Sequence, residues 1–251
     1  NASLKKISKN KKELKKISKE FKDLPLWFRN KTKYFTVAQK INFLNNFIKE
    51  PNIHIVFKDS KFLSNFEEDI IKTSEISGFL LLKKNISEIK SFKKGNFWVQ
   101  DFSSFFPLHN LPIKGDNKKF LDACAAPGGK SFQLLSRKLK LTLNDKSSFR
   151  IKTLKSNLNR LNFNAEVLNK DFLNFREDVK YDCIIIDAPC SSVGTIRKNP
   201  EIFFRSNMPD FKKLNKIQNS MLNKASNLLN INGIILYMVC SFLKNETEDQ
   251  I

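Results

Sequence analysis

Phe120-Leu121-Asp122-Ala123-Cys124-Ala125-Ala126-Pro127-Gly128-Gly129-Lys130-Ser131 reads as a short apolar strand, then a paired-glycine turn, then a helix continuing to about Leu139. Gly128 and Gly129 permit a tight turn and let the backbone approach a ligand closely. Downstream of this turn the chain alternates between strand and helix. Leu141-Thr142-Leu143-Asn144-Asp145 is the next strand, a helix runs from about Ser147 to Leu161, and Ala165-Glu166-Val167-Leu168 is a third strand leading to Asp171. The apolar Ile184-Ile185-Ile186 within residues 181 to 187 suits a strand covered on both faces. A helix from about Pro209 to Leu229 carries Phe211, Leu214, Ile217, Met221, Leu222, Ala225 and Leu228 near helical spacing. After Gly233 a fifth strand ends at Cys240. Right-handed crossovers between these strands imply an α/β fold, a Rossmann-like parallel sheet with helices on both faces.

Upstream the pattern is mixed α and β. Residues 1 to about 23 are lysine-rich, with Leu4, Ile7, Leu14, Ile17 and Phe21 on one side of an expected helix, a basic linker or the remnant of another domain. Thr36 to Lys49 reads as a helix ended by Pro51, Ile53 to Phe57 as a strand, Ser60 to Lys72 as a helix and Gly78 to Leu82 as a strand. The expected organisation is therefore a basic helical segment over 1–24, a small α/β module over 25–95 and the larger sheet over 96–251. The first residue is Asn1, and Asn245 with Glu248 forms a capping-box pattern close to Ile251, so both ends read as cut.

The 251 residues carry 45 Lys and Arg against 25 Asp and Glu, a formal charge of +20 that favours a polyanionic partner, nucleic acid before a membrane surface. A lysine-rich background composition accounts for the same number without any partner. No apolar run is long enough to span a bilayer and no stretch reads as a signal peptide. Cys124, Cys183, Cys190 and Cys240 form no C-x-x-C pair, and His54 and His109 lie far from them in sequence, which disfavours a zinc site. Free thiols in a reducing cytoplasm fit this pattern better than disulfides.

Three acids end successive strands: Asp145, Asp171 and Asp187. Asp145 stands 17 residues after Gly128, where an acid accepts hydrogen bonds from ribose hydroxyls. A lone acid at a strand end is often just a helix cap, but three beside a glycine turn suit an adenosyl ligand and would repel a triphosphate. Gly129-Lys130-Ser131 is the end of a P-loop pattern, yet Cys124 stands where that loop needs its first glycine, and Pro127 removes an amide from the cradle. Among the thiols, Cys124 reads as packed near the glycine turn and Cys183 as core. Cys190, in Asp187-Ala188-Pro189-Cys190-Ser191-Ser192, and Cys240, in Val239-Cys240-Ser241, follow apolar strands and sit in small polar turns, the placement of a nucleophile.

Asp122 to Ser131, Asp187 to Ser191 and Val239 to Ser241, with Trp98-Val99-Gln100-Asp101 and Ile196-Arg197-Lys198-Asn199-Pro200-Glu201-Ile202, resemble the motifs of the Sun/RsmB family of RNA 5-methylcytosine methyltransferases. The resemblance spans about 97 to 249, and residues 25 to 95 more weakly resemble the small RNA-binding module that precedes that family's catalytic domain. It implies S-adenosylmethionine as cofactor, held by the loop Cys124, Ala125, Ala126, Pro127, Gly128, Gly129 and Lys130, with Asp145 toward the ribose and Asp171 and Asp187 as further acids on the cofactor side. It further implies Cys240 as nucleophile, Cys190 as the cysteine that assists product release, and Asp187 at the ring nitrogen of the base. Two residues depart from the family pattern: Val239 replaces the usual Thr and Lys170 the usual Gly. By the same resemblance the sheet is expected to lack its last two strands. The expected activity is methylation of cytosine carbon 5 in RNA, ribosomal RNA first, by a cytoplasmic monomer without a metal. The rivals are an RNA-binding protein on an inactive methyltransferase fold and an NTPase.

Overall fold

The computed structural model describes residues 20–47, 49–81, 85–111, 118–176, 178–204 and 208–251. Along the chain the helices are α1 Leu26–Lys31, α2 Val37–Phe47, α3 Ser60–Ser64, α4 Lys90–Lys93, α5 Phe102–His109, α6 Gly129–Leu135, α7 Ser148–Leu161 and α8 Phe211–Asn227. The strands are β1 His54–Phe57, β2 Ile70–Ser74, β3 Ser77–Leu80, β4 Phe97–Val99, β5 Phe120–Asp122, β6 Leu141–Asn144, β7 Glu166–Leu168, β8 Tyr181–Asp187 and β9 Leu229–Met238. Most of the basic helix expected over 1–23 lies outside the described residues, as does Leu82 of the strand expected to end there.

Two compact units form. One comprises Asn52–Ala188 with Ser220–Met238, and the other the described part of Asn1–Pro51 with Pro189–Asn219 and Val239–Ile251. This division crosses the boundaries expected at 24/25 and 95/96. Residues 52–95 belong with the large sheet, because the Arg160 guanidinium of α7 donates to the Phe92 and Phe97 carbonyls, both at 3.0 Å. Gly95, at φ +69°, completes that seam: a Cβ there would lie 1.8 Å from the Arg160 carbonyl oxygen.

The first unit holds two sheets. Its five-stranded parallel sheet has the order β7-β6-β5-β8-β9, and a second, antiparallel sheet has the order β2-β3-β1-β4. Ile184, Ile185 and Ile186 of β8 are fully buried, as a central strand covered on both faces requires. α7 is capped by Ser147, whose hydroxyl accepts from the Arg150 amide, and ends at Asn162 in the left-handed conformation. It buries Ile151, Leu154, Leu158 and Leu161 at three- and four-residue spacing.

Two elements differ from expectation. Residues 60–72 form one short helix and then a strand, because Ile70 and Ile71 pair with Leu80 and Phe79 of β3. The fifth strand begins at Leu229 rather than after Gly233, with the register shifting between Tyr181 and Cys183, opposite the stretch that holds Asn232 at φ +63° and Gly233. The second unit is packed on aromatic rings, with Phe28, Phe47, Phe203 and Phe211 around Leu24, Val193, Ile196, Ile202 and Leu243. Among the described residues no helix is long and apolar enough to cross a membrane.

Candidate active site

The glycine turn leaves the carboxyl end of β5, and Asp187 is the last residue of the neighbouring strand β8. The strand order reverses between β5 and β8, and open parallel sheets bind ligands in the crevice at such a point. Gly128 takes φ +119°, and a Cβ there would run into the Phe132 ring at 1.9 Å, so a larger residue fits neither the backbone nor the space. Lys130 Nζ lies 2.7 Å from Asp187 Oδ2, which ties the turn to the end of β8.

Asp145 is buried. Its carboxylate accepts from the Ala126 amide at 3.2 Å and the Ser147 amide at 2.9 Å, and faces Arg150 Nη1 at 3.4 Å. Arg150 also donates to the Ala126 carbonyl. Asp145 thus ties the segment after β6 to the turn after β5. Asp171 is more open: it caps the short turn Phe172–Asn174 through the Leu173 amide and pairs with Lys146 at 2.6 Å. The Lys146 ammonium, chiefly by its hydrogen bond, holds the Asp171 carboxyl below the usual range. The structure therefore brings the loop Cys124–Lys130 together with Asp145 and Asp187, and sets Asp171 three residues past β7, next to Lys146.

Cys124 is half-buried, and burial, with Asp122 next, pushes its thiol up to about 12. Cys183 is core, and burial raises its thiol to about 11. Neither ionises near neutral pH. Cys190 and Cys240 differ: 50 residues apart in sequence, both belong to the second unit, where their thiols are in hydrogen-bonding contact. That contact first, then burial, raises the Cys190 thiol. Cys240 is exposed. Its carbonyl accepts from the Gly194 amide at 3.0 Å, which holds the two cysteine turns in register.

Several residues that matter here were not singled out from the sequence. Asp122 is buried beneath the turn, accepting from Ser131 Oγ at 2.6 Å and the Cys124 amide at 3.3 Å, and burial raises its carboxyl to about 6. Glu246 is fully buried, and its carboxylate accepts from the Ser191 amide at 2.8 Å, Ser191 Oγ at 2.5 Å and Gln218 Nε2 at 3.3 Å. Gln218 Nε2 also donates to the Pro189 carbonyl at 2.9 Å. These contacts clamp the turn that carries Cys190. A buried acid six residues after Cys240 has no local sequence signal; an acid spaced from a cysteine turn reads as solvent-facing until its partners are known. The Trp98-Val99-Gln100-Asp101 segment is structural. Trp98 Nε1 donates to Gln100 Oε1 at 2.9 Å, and Gln100 Nε2 donates to Gln133 Oε1 on α6 at 3.1 Å. His54 is buried with its ring nitrogens 2.9 Å from the Gln100 carbonyl and from Thr73 Oγ1, in keeping with the structural role expected for it. Among the described residues no group of three or more His, Cys, Asp or Glu forms a metal cluster.

Residues 111–251 match the family model described as 16S rRNA methyltransferase RsmB/F. Ribosomal RNA small subunit methyltransferase B of Shewanella oneidensis is 35% identical over 177 residues, which is 68% of this chain and 41% of that protein. The crystal structure of PH0851 superposes over 92% of this chain and 56% of its own, with 25% identity and a TM-score of 0.82. That of NSun6 from Pyrococcus horikoshii covers 69% of this chain and 47% of its own, with 26% identity and a TM-score of 0.60. The chain spans about two fifths of the length of the curated relatives it matches. A parallel sheet with a glycine turn at its reversal point, and two thiols in contact after two of its strands, thus occur in a chain that belongs to the RsmB/F methyltransferase family.

Proposed function

We propose that the protein methylates carbon 5 of cytosine in ribosomal RNA, with S-adenosylmethionine as methyl donor and Cys240 as a transient covalent nucleophile. The observation that carries this reading is the meeting of the two cysteine turns, with the Gly194 amide donating to the Cys240 carbonyl at 3.0 Å and Ser191 Oγ to Ser241 Oγ at 3.5 Å. A thiolate is the nucleophile, and a neighbouring thiol can donate a hydrogen bond to it.

The residues around the glycine turn fit the cofactor. Asp145, Asp171 and Asp187 stand at or just past the carboxyl ends of the strands, each beside a cation, and their carboxylates suit ribose hydroxyls and an amine. Cys124 to Lys130 would hold it from the turn, with Asp145 toward the ribose. When bound, S-adenosylmethionine supplies an electrophilic methyl group. Carbon 5 of cytosine is a poor nucleophile until sulfur adds to carbon 6. Cys240 forms that S–C6 bond, and a proton shared between the ring nitrogen and Asp187, beside Lys130, favours the addition by neutralising the charge that develops on the ring. Carbon 5 then takes the methyl group. A base takes the carbon 5 proton, the C5–C6 double bond reforms as the S–C6 bond breaks, and Cys240 leaves as a thiolate, with Cys190 assisting that release. The target base must leave its stack, so loops and bulges are better substrates than intact helices.

Methyl incorporation from labelled S-adenosylmethionine into small-subunit ribosomal RNA tests the assignment. Full-length protein with Cys240→Ala should lose transfer to background while keeping cofactor affinity. Cys190→Ala should accumulate a protein–RNA adduct that survives denaturation. Turnover by the Cys240→Ala protein would refute the nucleophile, and a Cys190→Ala protein that forms no adduct would remove the release role.

A further inference from the structure

The second unit contains a cavity of about 310 Å³ between α2 and the two turns that follow the cysteines. Phe35, Phe43, Phe47 and Phe242 supply its aromatic wall, Gln39, Asn42 and Asn46 its amides and Arg197 its charge, with no carboxylate in the lining. Phe43 and Phe47 lie one turn apart on α2 with ring centroids 5.2 Å apart and planes within 4°. Phe242 closes on Phe43 at 6.1 Å in an edge-on arrangement. On the same helix Asn46 Nδ2 donates to Asn42 Oδ1 at 2.6 Å, which orients both amides. Arg197 is exposed at the rim, with Nε donating to the Lys49 carbonyl at 3.2 Å. Gly194, also in the lining, donates its amide to the Cys240 carbonyl.

Each part answers to one part of a nucleotide. Phenyl faces stack bases without regard to sequence, side-chain amides bond base edges, and a guanidinium takes a phosphate. The volume accommodates one nucleoside and excludes a duplex. The absence of carboxylates from the lining, in a chain of net charge +20, favours an anionic occupant. We propose that this cavity takes an unpaired nucleotide of the RNA substrate that flanks the modified cytosine. The inference rests on the RNA methyltransferase reading and adds a second contact, separate from the target-base site, that selects single-stranded RNA around the target.

Fluorescence anisotropy of the full-length protein with a labelled single-stranded RNA, at fixed salt, tests it, with S-adenosylmethionine affinity measured in parallel. Asn42→Leu and Arg197→Gln alter exposed side chains, while Phe43→Leu removes an aromatic face that also packs on Phe28 and Phe203, so its unfolding midpoint is measured beside its RNA affinity. Loss of a stacked base should weaken RNA binding about tenfold in Phe43→Leu. Asn42→Leu and Arg197→Gln should each weaken it by a smaller but measurable factor, with cofactor affinity unchanged in all three. RNA carrying 5-iodouracil beside the target cytosine should cross-link on illumination to the α2 peptide or to the peptide holding Phe242. RNA affinity unchanged in Asn42→Leu and Arg197→Gln would overturn the cavity's role and leave the methyltransferase reading standing. Failure of the parent protein to bind RNA at all would overturn both.

Discussion

Replacing Glu246 separates two consequences of a buried carboxylate. In Glu246→Ala the Ser191 amide loses its acceptor inside the second unit and the Ser191 hydroxyl is left with Ser241 Oγ at 3.5 Å, whereas Gln218 Nε2 keeps the Pro189 carbonyl. A buried donor left without a partner costs about 1–3 kcal/mol, so the stranded amide alone sets a loss of about that size. Glu246→Gln is milder. Its carbonyl oxygen still accepts from Ser191 and Gln218, and its new amide group donates to the Ser191 hydroxyl, which is able to accept. Only the charge is lost, a cost of about 1 kcal/mol. The two tryptophans make this measurable, because Trp27 packs on Phe203 and Phe211 in the second unit while Trp98 packs on Phe132 in the first. Denaturant titration in a Trp98→Phe background, read by Trp27 fluorescence, should show a large drop in midpoint for Glu246→Ala and a small one for Glu246→Gln. Equal midpoints for Glu246→Ala and its parent would refute the clamp, as would a Glu246→Gln protein as unstable as Glu246→Ala.

Asp122 makes stability depend on pH. Its carboxyl titrates near 3.8 unfolded and about 6 when folded, so the native state binds the extra proton between those values. The favourable contribution is full below the unfolded value and disappears as pH rises through about 6, with linkage setting an upper bound of about 3 kcal/mol. Asp122→Asn should flatten the stability profile between pH 4 and 7 (about the span of the two titrations), and an unchanged slope would show that another group sets it. Gly95→Ala places a methyl group on the Arg160 carbonyl and forces a left-handed backbone, and should cost at least about 2 kcal/mol. Urea unfolding read by Trp98 measures this, and a neutral result would mean that the seam between β4 and α7 opens freely.

The β-α rhythm of the large sheet was legible because it is written in local patterns. The apolar run of β8, the Ser cap and apolar spacing of α7, and the glycine turn before α6 each lie within a few residues of chain. Legibility failed where distant pairing overrode local preference. The helix expected to reach Lys72 stops at Ser64, and Ile70–Ser74 becomes an edge strand because β3 offers a partner. Gly233 reads as a break yet lies inside β9, because an irregular pairing opposite β8 absorbs it. The cysteines stood out from their turns alone, but nothing local shows that their thiols meet.

Residue order by itself thus determined the parallel sheet, the glycine turn and the two cysteine-bearing turns after its strands, since each depends on neighbours within one strand or one helical turn. Tertiary structure decided that the two cysteine turns meet, that Asp122 and Glu246 are buried acids, and that α2 shares a unit with both cysteine turns. Proton affinity and burial depend on groups that fold together from positions tens of residues apart, and no periodicity along a chain encodes that proximity.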